Sequence, residues 1–376
     1  MKCKLSLLVS VVVLGASTTV SANDLAEAFK AGSVSGDISV TFETRNQDKE
    51  LNAYYSDTAY STGSVGLEYK TGDYKGFSAA FGARGYRPLW EDESGDADER
   101  FNDNEILISN AYLAFDNDMY HVKLGRQQLF TDWIKRTLDA VSVYSTPVEN
   151  LEIELLWANK IGRVDNRNAI ASYDTGIDDK GVYKYAAAYK FNDMFDAKIF
   201  GKNVPDSHDL YGGLVNLNAD NFGGRVQYIQ TKEEVLTEDG EMLEVKAYAK
   251  YAGATATLGY IKTGDDVGWG SAAAHGELVV PFEEGDQIYS KAGGTETIYL
   301  MLSKSFSGVS LTALYGITDY EKSNVDYDKS EFDLWAGYNI TKDLNLAVGF
   351  TLTDEDTKDV ATTDLTQLNA TFAYKF

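Results

Sequence analysis

Apolar and polar residues alternate one by one along most of this chain. Leu368, Ala370, Phe372, Tyr374 and Phe376 share one face of an extended segment, and Gln367, Asn369, Thr371, Ala373 and Lys375 share the other. Leu344, Leu346, Val348, Phe350 and Leu352 oppose Asn345, Ala347, Gly349 and Thr351 in the same way, and Phe332, Leu334, Ala336, Tyr338 and Ile340 form a third stripe. A period of two is the signature of a strand with two unlike environments. The pattern predicts about 18 strands of roughly ten residues, each long enough to cross a bilayer at the usual tilt. The expected spans are 35–46, 61–71, 75–86, 105–116, 118–127, 137–146, 151–160, 181–191, 194–203, 209–218, 221–231, 242–251, 253–263, 295–306, 307–318, 330–341, 342–353 and 364–376.

The links decide between a soluble sandwich and a membrane barrel. Short ones fall at Gly72-Asp73, Asn117-Asp118, Pro147 to Asn150, Asn192-Asp193, Ala219-Asp220, Gly253, Ser307-Gly308 and Thr341-Lys342-Asp343. They alternate with long polar ones at 47–60, 87–104, 161–180, 232–241, 264–294, 319–329 and 354–363, and with smaller ones at 128–136 and 204–208. Tight turns on one rim and long loops on the other are the two ends of an outer-membrane barrel. An even strand number brings both termini to the short-turn rim. Proline cannot donate to a ladder, so a barrel in lipid should exclude it from strand interiors; Pro88, Pro147, Pro205 and Pro281 are all expected in links. The fold class expected is therefore all-β, a transmembrane antiparallel up-and-down barrel.

The beginning of the chain reads differently. Lys2 and Lys4 precede an apolar run from Leu5 to Ala16, and Val20-Ser21-Ala22 places small residues before Asn23. That is the layout of a secretory signal peptide over 1–22, and the run is too short for a membrane-spanning helix. The barrel domain would occupy 23–376. Its first residues, 23–34, would form a short periplasmic segment containing one helix, with a polar cap before it and Gly32 as its stop. Cleavage would remove Cys3, the single cysteine, leaving no thiol chemistry. The 25 tyrosines, 17 phenylalanines and 33 glycines beside only 4 prolines suit short amphipathic strands.

The formal charge of −24 makes nucleic acid an unsuitable partner, because phosphate binding needs a basic face. Much of the acid lies in the long links, for example from Glu91 to Glu99, from Glu233 to Glu244, and at Asp354-Glu355-Asp356. This reads as a solvated rim; no run has calcium-loop spacing, so no metal and no cofactor is expected. The basic residues are placed otherwise. By the alternation, Arg45, Arg84, Lys123, Lys184, Lys198, Lys202, Arg225, Lys246 and Lys250 point away from lipid, with His121 on the same side. The acids Asp37, Glu43, Glu68, Glu152, Glu154, Asp196, Glu244 and Asp333 join them. A basic side chain against acyl tails at mid-membrane costs about 2–4 kcal/mol, which forces this phase and a wet, charged interior. Opposed charges across such a passage would orient zwitterions or carboxylates in transit.

His121-Val122-Lys123-Leu124-Gly125-Arg126-Gln127-Gln128-Leu129-Phe130-Thr131, followed by Arg136-Thr137-Leu138-Asp139, resembles the strand and third loop of Opr-type (OprD-like) porins. In that family a Gly-(Arg/Thr)-Gln strand end leads into an inward-folded loop and an Asp-Arg-Leu-Leu-Pro run. Here Lys135 replaces the aspartate of that run and no proline follows Leu138. Leu25 to Gly36 and the terminal Tyr374-Lys375-Phe376 fit the same group. The resemblance implies an 18-stranded barrel in the outer membrane of a Gram-negative bacterium, its third loop narrowing a pore. It further implies passive diffusion of small polar solutes, often carboxylates or amino acids, down a basic ladder. Arg126, Lys135 and Arg136 would then stand at the constriction, facing Arg84, Lys123 and Arg225. Phe376 would be the aromatic read by the barrel-assembly machinery, and outer-membrane lipid and lipopolysaccharide would surround the barrel. Related barrels range from loose monomers to homotrimers.

Two rival readings stand beside this one. A barrel hydrolase would need a nucleophile and base, but His121, His208 and His275 lie in no Ser/His/Asp or His-Glu-x-x-His arrangement. A surface adhesin or structural barrel would need a blocked interior. Side chains alone can fill eight strands but not about 18, so an inserted loop, 264–294 being the candidate, would have to do it.

Overall fold

The computed structural model describes residues 24–48, 57–98, 100, 106–170, 180–284, 288–356 and 364–376. The expected signal peptide, 1–22, lies outside them. In chain order the strands are β1 (Ser33–Asp48), β2 (Thr58–Lys70), β3 (Phe77–Glu91), β4 (Ile106–Asp116), β5 (Tyr120–Thr131), β6 (Ile134–Val148) and β7 (Leu151–Val164). A two-residue β8 (Ala169–Ile170) lies outside the barrel ladder, pairing with the end of β7. Then come β9 (Val182–Lys190), β10 (Phe195–Val204), β11 (His208–Asn218), β12 (Phe222–Glu233), β13 (Gly240–Tyr251), β14 (Ala254–Thr263), β15 (Gly293–Phe306), β16 (Val309–Lys322), β17 (Val325–Asn339), β18 (Leu344–Asp356) and β19 (Asp364–Lys375). Each barrel strand pairs antiparallel with its sequence neighbours, and β1 closes the cylinder on β19 from Asp37↔Lys375 to Asp48↔Asp364. Closure removes every sheet edge, the condition for a β-structure to live in hydrocarbon.

The burial pattern inverts that of a soluble protein. Along β1, Ser39, Thr41 and Glu43 are buried at 1–3 % exposure, whereas Val40 and Phe42 between them are 44 % and 37 % exposed. Ile199 on β10 is 68 % exposed and Lys202 only 2 %. Leu67, Phe81, Leu113, Leu124, Leu258, Ile298 and Phe372 continue the outer apolar band. Such a surface is stable only against lipid. At the short-turn rim Phe77 lies 4.8 Å from Phe115, and Tyr189 5.0 Å from Phe191, part of an interfacial aromatic girdle.

Both ends of the described chain meet at that rim. A six-residue helix, α1 (Leu25–Lys30), is capped by Asp24, whose Oδ1 accepts from the Glu27 amide at 2.8 Å. It is tied to the first turn through the Gly72 amide, which donates to the Ala28 carbonyl at 2.9 Å. Gly36 and Phe376 exchange two backbone hydrogen bonds of 3.0 Å. A Cβ on Gly36 would lie 2.4 Å from the Gly66 carbonyl and 2.7 Å from the Phe376 ring.

Several expectations about links are corrected. The predicted loop 319–329 is a two-residue turn, Ser323-Asn324, with φ of 57° and 60°, and β16 and β17 pair up to Lys322↔Val325. Both turn residues adopt the left-handed conformation that a tight hairpin needs, so charged residues such as Asp319 and Asp328 stand on strands, beyond the apolar band. The link 128–136 shrinks to Asp132-Trp133, and 204–208 to three residues. Two prolines also fall within strands. Pro88 lies in β3 opposite Thr62, beside a register shift, and Pro147 in β6, where the register with β7 shifts between Ser145 and Val148. Irregular pairing removes the demand for an amide donor at these points.

Candidate functional site

The third hairpin leaves the wall and enters the barrel. β4 pairs with β5 only up to Ala111↔Arg126, and beyond that point β5 pairs with β6 alone, to Thr131↔Ile134. Gly125 sits at the departure with φ of 123°, and a Cβ there would lie 2.2 Å from the Ala111 carbonyl. Only glycine tolerates both the dihedral and the approach. Trp133, Ile134 and Leu138 at the tip are 0–1 % exposed. Lys184 of β9 donates to Thr131 Oγ1 at 2.7 Å and to Glu154 Oε2 of β7 at 2.6 Å, and Thr131 donates to the same carboxylate at 2.9 Å. The turn carboxylate of Asp132 pairs with Lys198 of β10 and lies 4.0 Å from Lys184. Burial alone would raise that carboxyl's pKa, but the ammonium groups of Lys198 and Lys184 outweigh it and hold Asp132 below its usual range.

The segment between β14 and β15 comes to meet this tip. It contains a 3-10 turn, Gly270–His275, and a short helix, α2 (Ile288–Lys291). Trp269 packs edge-on against Trp133 at 5.2 Å and stacks on Tyr289 at 5.1 Å. Beneath them lies an apolar patch of the inner wall formed by Phe200, Leu210, Ile229, Met242, Ile261 and Leu314. Polar contacts fix the seat: Lys202 Nζ donates to the Ala272 carbonyl at 2.6 Å, and Glu233 of β12 accepts from the amide and hydroxyl of Ser271 at 2.6 and 2.9 Å. Tyr289 shares a 2.8 Å hydrogen bond with Thr297.

Further along, the same loop reaches the opposite side. The Glu283 and Glu284 amides donate to Asp333 and Glu331 of β17 at 3.2 and 2.9 Å. Their carboxylates meet cations: Glu283 lies 3.4 Å from Arg167, and Glu284 3.8 Å from Arg45 of β1. Glu43 gathers Arg45, Arg100 and Arg167 at 3.5, 3.2 and 3.0 Å and accepts from the Tyr60 hydroxyl at 2.8 Å. Arg45 is held further by Gln367 at 2.6 Å. The interior is thus crossed by a loop resting on an apolar half-wall and ending in a ring of three guanidinium and three carboxylate groups.

The other residues singled out from the sequence are distributed as follows. Arg84 is bidentate to Asp37 and donates to Ser64 at 2.6 Å. Arg225 donates to Asn216 at 3.0 Å, and Lys246 pairs with Glu244 at 2.7 Å. Lys123 and Lys250 each stand 5.1 Å from a ring centroid, of Tyr112 and Tyr248. Arg126 shares the strand phase of exposed Leu124 and is bidentate to Asp139 at 2.6 and 2.9 Å. Arg136 donates to the Lys135 carbonyl at 2.8 Å, and Lys135 is exposed. His121 pairs with Asp116 at the short-turn rim. The alternation alone pointed to neither Arg100, Arg167, Glu283 and Glu284, which are loop residues, nor Trp133, Trp269 and Tyr289. The signal that would have found the loop's seat is the run of large apolar residues in the inward phase of successive strands, since an aqueous wall has no need of them.

A closed barrel with an apolar exterior, a charged interior and a loop folded into its bore defines a channel of the porin class. The family model described as Gram-negative porin matches residues 9–358, and the chain belongs to that family. It therefore forms an outer-membrane channel through which small solutes diffuse passively. Among solved structures it is similar to Pseudomonas aeruginosa OccK9 (OpdG), with 15 % identity over 93 % of this chain and 100 % of that one, TM-score 0.74. It is also similar to Acinetobacter baumannii OccAB4 (13 %, covering 96 % and 100 %, TM-score 0.71) and to Pseudomonas aeruginosa OpdK, solved with vanillate (13 %, covering 91 % and 99 %, TM-score 0.70). At these identities the likeness is one of fold. No curated protein sequence matches this chain.

Proposed function

We propose that the chain is a selective rather than a general channel, and that it passes small carboxylates and amino acids. The observation that carries this is the charged ring of Arg45, Arg100, Arg167, Glu43, Glu283 and Glu284, where the inserted loop meets β1. Fixed charges of both signs in a narrowed bore favour solutes that carry complementary groups, provided each contact is weak enough to release. The structure of OpdK with vanillate supports the same solute class. Arg84, Lys123, Arg225, Lys246 and Lys250 would supply the basic guide along the wall. Neutralising Arg84 and Arg225 together should move the reversal potential under a salt gradient toward cation selectivity, and an unmoved potential would remove the guide. The solute class is tested by single-channel conductance with competing carboxylates, amino acids and sugars: block by the first two and not by sugars is the expected pattern.

The finer assignments belong to the same proposal. Residues 1–22 act as an export signal, and 23–34 as the periplasmic lead-in. Phe376, half exposed beside Tyr374 at 6.4 Å, is the group offered to the barrel-assembly machinery. Lipopolysaccharide contacts the outer band, and three barrels associate through it; cross-linking in isolated membranes separates a homotrimer from a monomer.

A further inference from the structure

The loop's seat contains two histidines that no part of the transport function uses. His275 ends the 3-10 turn and is 2 % exposed; His208 begins β11 and is 1 % exposed; their rings lie 6.3 Å apart at 30°. His208 Nδ1 shares a 3.0 Å hydrogen bond with Ser207, but its Nε2 is buried without a partner, as is Nδ1 of His275. The groups facing this pair come from every side of the seat. β10 brings Lys202, whose Nζ bonds the loop carbonyl of Ala272. β6 brings Arg136, close enough to Gly276 that a Cβ there would sit 2.8 Å from Nη1. β12 brings Glu233, committed to Ser271, while β13 contributes Gly240 and Met242, and α2 contributes buried Tyr289. β6 also brings Lys135 beside Gly276, and the loop itself brings Glu277, whose carboxylate accepts from the Val279 and Val280 amides. Two imidazoles thus lie buried beside Lys202 and Arg136, with Glu233 committed to the amide and hydroxyl of Ser271 and Glu277 to the loop backbone.

We infer that this histidine pair is an acid-released latch: protonation in the external medium expels the loop segment 269–276 from its seat on β10–β13 and lets it swing into the open bore. Burial, then the charges of Lys202, His208 and Arg136, hold the pKa of His275 well below its ordinary value, so the docked loop excludes the proton that a freed, solvated imidazole accepts near pH 6.5. The sign follows from linkage. Docking keeps its full strength above the free pKa and loses it as pH falls, and the undocked-to-docked ratio rises about tenfold for each pH unit below 6.5 through His275 alone. The far end of the loop remains held by Arg45, Arg167 and β17, so the released segment obstructs the channel rather than leaving it.

The test is single-channel recording of the full-length barrel in planar bilayers, with the loop-side pH stepped from 7.5 to 4.5. Closures should lengthen or multiply about tenfold per pH unit once below 6.5. The double variant His208→Phe with His275→Phe, which keeps two rings in the seat without a proton site, should give the same record at every pH, and His275→Phe alone should leave a shallower response carried by His208. In parallel, hydrogen exchange of peptides spanning 264–284, corrected for intrinsic rates, should rise on acidification in the wild-type chain and not in the double variant. A wild-type record that is flat from 7.5 to 4.5 overturns the latch, as does a full response retained in the double variant. If the double variant fails to assemble, the wild-type exchange data and the shallower response of His275→Phe decide the matter.

Discussion

At the scale of single residues, the interior is a set of ion pairs made to hold parts in place. Lys184 and Glu154 have side chains 1 % and 3 % exposed, and both bind the hairpin tip at Thr131. Removing one partner of such a pair strands the other charge. Glu154→Gln should therefore lower stability by about 3–5 kcal/mol, visible as an earlier urea midpoint in detergent; an unchanged midpoint would show that the pair is hydrated. Gly125 gives a second prediction. With φ of 123° and the Ala111 carbonyl in the way, Gly125→Ala should cost about 1–3 kcal/mol and displace the hairpin, read as altered conductance beside the stability loss. Wild-type behaviour would mean that β5 leaves the wall elsewhere.

Among the elements, the inserted loop matters most, and Trp269 is its keystone, wedged between Trp133 and Tyr289. Trp269→Ala should weaken docking by about 3–5 kcal/mol and expose the segment to protease added from outside to intact cells; resistance equal to wild type would place the anchoring energy in Lys202 and Glu233 instead. The loop also marks the limit of what alternation can reveal. The period-two pattern located every barrel strand, because lipid on one side and water on the other imposes opposite demands on neighbouring residues. It misjudged where strands end: above the membrane both faces are wet, so Asp319 or Asp328 reads as loop although the ladder continues to Lys322↔Val325. The inward phase of the basic residues was equally legible. Their partners were not, since Arg45 meets Glu284, and Lys202 meets Ala272, only once distant segments fold into the bore.

Over the whole molecule, apolar side chains face out, charges face in, and one loop decides how much of the bore is open. The outer band needs hydrocarbon, the closed ladder satisfies the backbone, and the loop rests on an apolar half-wall that would otherwise be wetted. These arrangements depend on one another. A barrel of this strand number has an interior too wide for side chains to fill, so passage and selectivity fall to whatever is folded inside it.

The most direct measurement is the single-channel conductance of the wild-type barrel beside a variant in which residues 266–291 are replaced by a short flexible linker. Discrete, ohmic steps from the wild type, and clearly larger ones from the shortened variant, are the predicted result. Electrical silence from folded wild-type protein, or equal steps from both, would contradict an aqueous channel narrowed by its inserted loop.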